Sequence, residues 1–120
     1  MSFYALQARY TPLAWAALTS APANRLEEVR PAIERLGGRI VNGWYSFGDY
    51  DVLIICQMPD VVSAAALSMA ISAGGAVKAV KTTALLTFDE GVQALTKARS
   101  AEYAAPPTEI PYFGIFRAPV

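Results

Sequence analysis

Apolar and polar positions alternate from residue 3 to residue 10, with Tyr4, Leu6, Ala8 and Tyr10 on one side and Phe3, Ala5, Gln7 and Arg9 on the other. A period of two predicts a strand. Thr11-Pro12 is a helix-start signal, because threonine caps and proline suits the first helical position. A short turn around Trp15 is expected to follow, broken by Pro22. Helical spacing resumes at about Arg25, with Leu26, Val29, Ile33 and Leu36 on one stripe. Pro31 marks either the true first turn or a kink, and Gly37-Gly38 stops the helix. Residues 39–47 predict a second strand, in which Ile40 and Trp44 alternate against Val41 and Tyr45. Gly48-Asp49 predicts a tight turn, glycine supplying positive φ and aspartate a hydrogen bond to its own backbone. Residues 51–58 are apolar at both parities, the pattern of a central strand covered on both faces. Pro59-Asp60 opens a helix to about residue 73 that is apolar nearly all round, so its outer face is expected to be covered too. Gly74-Gly75 ends it. Residues 76–88 predict a fourth strand, and residues 89–99 a polar-faced helix capped by Asp89.

These elements predict an α+β fold: a ferredoxin-like βαββαβ unit with a four-stranded antiparallel sheet, an extra C-terminal helix and an extended C-terminal tail. Strands one and three form its central pair. The expected division is one domain over residues 1–99 and a proline-rich apolar tail over 100–120. That tail includes the run Tyr112-Phe113-Gly114-Ile115-Phe116 and is expected to lie extended across its own or a neighbouring subunit.

Composition changes this picture in one respect. Hydrophobic residues make up 54% of the 120 and charged residues 17%, against averages of about 45–50% and about 25%. A domain this small and this apolar has more greasy surface than its interior hides, so another copy or partner is expected to cover some of it. Formal net charge is zero with no basic block, which argues against nucleic-acid binding. The one cysteine, Cys56, sits in an apolar run and reads as a buried small hydrophobe. Histidine is absent, which removes Ser-His-Asp and Cys-His machinery, His-ligated metals and proximal-His haem. Neither a signal peptide nor a membrane span is read, and a cytoplasmic protein is expected.

Several pieces in order resemble the GYD family: Gly48-Asp49-Tyr50-Asp51 as its motif, Tyr10-Thr11 closing the first strand, Leu36-Gly37-Gly38, and Pro59-Asp60. The resemblance covers about residues 3–95, an extent typical of one small domain. It departs at Ala14, where the family often has glycine, and at Ala76-Val77-Lys78, which replaces a common Asn-Val-Arg. The resemblance implies a fold like that of dimeric α/β-barrel proteins and assembly with like copies, but no transferable activity.

Folding the sequence on paper gathers Arg9, Tyr10 and Thr11, the hairpin tip from Phe47 to Asp51, and residues 74–78 at one end of the sheet. The ligand-binding candidates are Arg9, Tyr10, Trp44, Tyr45, Asp49, Tyr50, Asp51 and Lys81. Arg9 and Asp51 are expected to form a cross-strand ion pair that either fixes register or holds a polar ligand group. Asp49 and Asp51 are too few to hold a hard cation, and turn chemistry explains them better. The tyrosines and tryptophans line either a core, an interface or an aromatic pocket. No phosphate loop, nucleotide fingerprint or metal cluster is read, and no cofactor is implied. The leading expectation is a homo-oligomeric accessory or binding protein for a small apolar or aromatic molecule. A cofactor-independent enzyme of the dimeric α/β-barrel type, monooxygenase- or isomerase-like on an aromatic or polyketide-like substrate, is the second. A purely structural assembly module is the third.

Overall fold

The computed structural model describes residues 1–107; the tail's run at residues 112–116 lies outside them. Two compact units divide the chain, Met1–Leu86 and a second that begins at Thr87.

The first unit runs β1 (Ser2–Tyr10), α1 (Pro12–Ser20), α2 (Arg25–Arg35), β2 (Arg39–Tyr45), β3 (Val52–Met58), α3 (Val61–Ala73) and β4 (Val77–Leu85). All pairings are antiparallel and the strand order is β2-β3-β1-β4. That is the ferredoxin-like α+β arrangement, with β1 and β3 central as the sequence predicts.

Each helix starts where a side chain satisfies free N–H groups. Thr11 Oγ1 accepts from the Ala14 N–H at 3.1 Å, and Pro12 needs no acceptor. With those two signals and an alanine-rich run, the expected short turn around Trp15 is a full nine-residue helix. Asn24 Oδ1 accepts from Leu26 and Glu27 N–H groups at 3.1 and 3.4 Å. That cap sets the start of α2, so Pro31 is an interior residue and not its first turn. Asp60 Oδ1 accepts from the Ser63 N–H at 2.7 Å. Gly37 and Gly75 adopt φ of +83° and +79° just beyond helix ends, where a side chain would be strained.

One face of the sheet carries the core. Tyr4, Leu6, Ile54, Cys56 and Met58 pack against Ile33 of α2 and Ala64 and Leu67 of α3. A second cluster, Ala8, Tyr10 and Val52, packs under Ala14 and Leu18 of α1. All buried residues of β1 and β3 belong to this face. The other face bears Phe3, Ala5, Gln7, Leu53, Ile55 and Gln57, all only half-buried. The expectation that β3 is covered on both sides is therefore not met within this unit. Likewise Val61, Val62 and Met69 of α3 are exposed.

Two local corrections follow from backbone geometry. The β2–β3 register skips Val41, since Ile40 opposes Cys56 but Asn42 opposes Ile55. Such a bulge inverts parity beyond it. Tyr45, opposite Val52, consequently shares the helix-covered face, whereas Trp44, opposite Leu53, belongs to the uncovered one. The Gly48-Asp49 turn is a wider loop over residues 46–51. Ser46 closes it by donating through its N–H to the Asp51 carbonyl at 2.8 Å and through Oγ to the Tyr50 carbonyl at 2.7 Å. Gly48 is not among the positive-φ glycines.

In the second unit, α4 (Phe88–Ser100) begins at a reciprocal cap: the Glu90 N–H donates to Thr87 Oγ1 at 3.1 Å, and the Thr87 N–H to Glu90 Oε1 at 2.9 Å. The cap is thus Thr87 instead of Asp89, and Phe88, expected to end the fourth strand, is the first helical residue. No helix among the described residues is long and apolar enough to cross a membrane.

Candidate functional site

Three stretches meet at one end of the sheet, held by two backbone–backbone bonds and two between backbone and side chain. The Thr11 N–H donates to the Ala76 carbonyl at 3.0 Å. Arg9 Nη1 donates to the Asp49 carbonyl at 3.0 Å. The Tyr10 N–H donates to Asp51 Oδ2 at 2.8 Å, and the Asp51 N–H to the Ala8 carbonyl at 2.9 Å. The motif's last aspartate is thus a clasp joining the β2–β3 loop to the end of β1. The expected Arg9–Asp51 ion pair does not form: the ladder ends at Ala8 opposite Val52, and the Asp51 carboxylate turns onto the β1 backbone.

On the covered face beside this clasp, three rings from different elements form a cluster. The Trp15 ring lies edge-on to Tyr10 with centroids 5.3 Å apart and is tilted against Tyr45 at 6.1 Å, within the range where aromatic pairs attract. Tyr10 is 6% exposed, Trp15 37% and Tyr45 48%. Next to them opens a cleft of about 280 Å³ between the start of α2, the end of β2 and the start of β3. Its apolar wall is Leu26, Val52 and Ile54 with Tyr45, and its polar groups come from Tyr10, Asn24 and Arg25. Gly43 leaves the space that Leu26 fills: a Cβ there would stand 2.7 Å from Leu26 Cδ1. A second hollow of about 350 Å³ lies along α1 and α2 and shares Tyr10 and Arg25 with the first.

Arg25 is the one cation on either wall. Its Nη1 donates to Glu28 Oε2 at 2.8 Å, and its guanidinium also neighbours the Tyr10 phenol. Burial raises the Tyr10 phenol above its ordinary value, and the nearby Arg25 charge only partly offsets this. Tyr10 therefore stays a neutral hydroxyl through the physiological range. Cys56, under the sheet, has its thiol pushed up by burial alone.

The sequence candidates scatter over this frame. Tyr10 and Tyr45 lie in the cleft, and Trp44 borders it while belonging by register to the uncovered face. Arg9, Asp49, Tyr50 and Asp51 build the clasp and loop. Lys81 stands opposite Gln7 on the uncovered face, outside both hollows. Sequence reasoning missed Asn24, Arg25, Leu26 and Gly43. Two signals pointed to them: Asn24 three residues before Glu27 is a helix-start pattern, and a glycine inside a strand marks close approach of another group. Among the described residues no three Cys, Asp or Glu side chains are grouped so as to hold a metal ion.

A ferredoxin-like sheet with a clasped β2–β3 loop defines the structural class. The GYD domain matches residues 4–95, and the chain belongs to that family. No curated protein matches it. No solved structure does either.

Proposed function

We propose that this chain is the subunit of a homo-oligomeric small-molecule-binding protein, its ligand held in the cleft beside the Tyr10–Trp15–Tyr45 cluster. The observation that carries this reading is the cleft itself: a concave, mainly apolar and aromatic wall with a few convergent polar groups, the usual make-up of a ligand site. Its volume of about 280 Å³ falls just below the usual range for such sites, about 300–1,000 Å³, which suits a small molecule. Assembly is supported by the uncovered sheet face, where Phe3, Ala5, Leu53 and Ile55 lie at the centre and Trp44 at the side is 54% exposed. Apolar side chains left part-exposed among Gln7, Gln57 and Lys81 on one sheet face suit a partner that covers them. We take the occupant of that face to be a second copy, and the setting to be the cytoplasm.

Titration of a panel of small aromatic molecules, followed by Trp fluorescence and thermal shift, tests the binding reading. Saturable binding that disappears in Tyr45→Ala supports it. A panel that neither quenches fluorescence nor raises the melting temperature counts against it.

A further inference from the structure

We infer that the cleft selects a small aryl carboxylate, its ring against the Leu26–Tyr45–Val52 wall and its carboxylate on Arg25; this rests on the reading of the cleft as a ligand site. The polar lining is biased toward donors. Arg25 carries a permanent positive charge; one of its five N–H groups is engaged by Glu28 and its guanidinium also meets the Tyr10 oxygen, which leaves further N–H groups to donate. The Tyr10 hydroxyl is a neutral donor beside it. Asn24 spends its carbonyl oxygen on the Leu26 and Glu27 N–H groups, which leaves its NH₂ to donate. No carboxylate lines this cleft; Glu28 lies on the wall of the other hollow.

A donor-rich rim over an apolar wall suits a molecule with one anionic end and one flat apolar end. A guanidinium meets a carboxylate with two parallel hydrogen bonds. A cation would find no carboxylate on this wall, and a doubly charged phosphate would find a single counter-charge. A cleft of about 280 Å³ has room for one substituted ring.

The test uses benzoate, its neutral counterpart benzamide, and cyclohexanecarboxylate, titrated into the full-length ¹⁵N-labelled protein with amide shifts followed at Gly43, Arg25 and Tyr45. Benzoate should shift these amides and bind about tenfold or more tightly than benzamide, the ratio expected for one charge-assisted contact. Cyclohexanecarboxylate should bind more weakly than benzoate. In Arg25→Gln the benzoate advantage over benzamide should vanish, and an advantage that persists there overturns the assignment of the carboxylate to Arg25. Equal binding of benzoate and benzamide to the wild-type protein overturns the anion assignment and leaves the ligand-site reading intact. Shifts confined to other residues, or none with any probe at millimolar concentration, overturn both. The wild-type contrast decides the matter even if Arg25→Gln folds poorly.

Discussion

Replacing Asp51 isolates the clasp at the heart of the family motif. Its Oδ2 is the acceptor for the Tyr10 N–H at 2.8 Å in a partly buried position. A hydrogen bond to a charged group contributes about 1.5–3 kcal/mol, and partial exposure favours the lower half, about 1.5–2 kcal/mol. Asp51→Ala removes the acceptor and strands the N–H, so unfolding free energy should fall by about that amount. For a unit of this size, that is roughly 6–16 °C in Tm at about 4–8 °C per kcal/mol. Asp51→Asn keeps a neutral acceptor and should lose only about 0.5–1 kcal/mol. Arg9 spends its guanidinium on an exposed carbonyl, so Arg9→Ala should stay within about 0.5 kcal/mol. Urea denaturation of the single and double variants measures all of these. A Arg9–Asp51 coupling energy well above about 0.5 kcal/mol would restore the ion pair. Asp51→Ala as stable as wild type would refute the clasp.

Other outcomes follow from the same geometry. Gly38→Ala would bring a Cβ to 2.7 Å from the Gln57 carbonyl oxygen and onto Met58 Sδ, costing about 1–3 kcal/mol in urea melts. Gly48→Ala meets nothing within 4 Å and should be neutral or slightly stabilising; a large loss there would mean the loop needs glycine. Cys56, fully buried with its thiol value raised by burial, should resist a thiol reagent until denaturant is added, and rapid native labelling would contradict its place under the sheet. Hydrogen bonds donated by the Ser63 and Thr87 N–H groups hold the Asp60 and Glu90 carboxyls below their ordinary values, and the Arg30 side chain does the same for Glu27. Their contribution is present above the unfolded range near pH 4 and lost as pH falls through the lowered folded values. Thermal melts should show Tm declining from about pH 4 downward, less steeply in Asp60→Asn, and an unchanged slope in that variant would contradict the cap.

Alternation makes the first strand legible, because a period of two sends alternate side chains to opposite faces, and the central pairing follows from the element order and the run at residues 51–58 that is apolar at both parities. Helix starts were legible where the capping residue abuts a proline or a short apolar run, as at Thr11-Pro12 and Pro59-Asp60. What alternation cannot register is an inserted residue. The bulge at Val41 exchanges the faces of Trp44 and Tyr45, which brings Tyr45 onto the covered side near Trp15. Phe88 was misassigned because an apolar residue extends a strand pattern as readily as it begins a helix. The Thr87-x-x-Glu90 spacing distinguishes the two. At the site, Tyr10 and Tyr45 were foreseeable as aromatics at strand ends. Arg25 and Leu26 were not, because they reach the cleft from the first turn of α2, and which groups lie against Gly43 is decided by how that helix packs on the sheet. Asp51 was legible as a motif residue, but its partner is a backbone N–H, which carries no side-chain signature.

On the assembly proposed above, another copy covers the sheet face that no helix of the first unit covers. Sedimentation equilibrium of the full 120-residue chain at micromolar concentration measures this. A dimer or larger assembly is expected, reduced toward monomer by Leu53→Lys at the middle of that face. A well-folded wild-type species that holds at 12.9 kDa across the concentration range would contradict it.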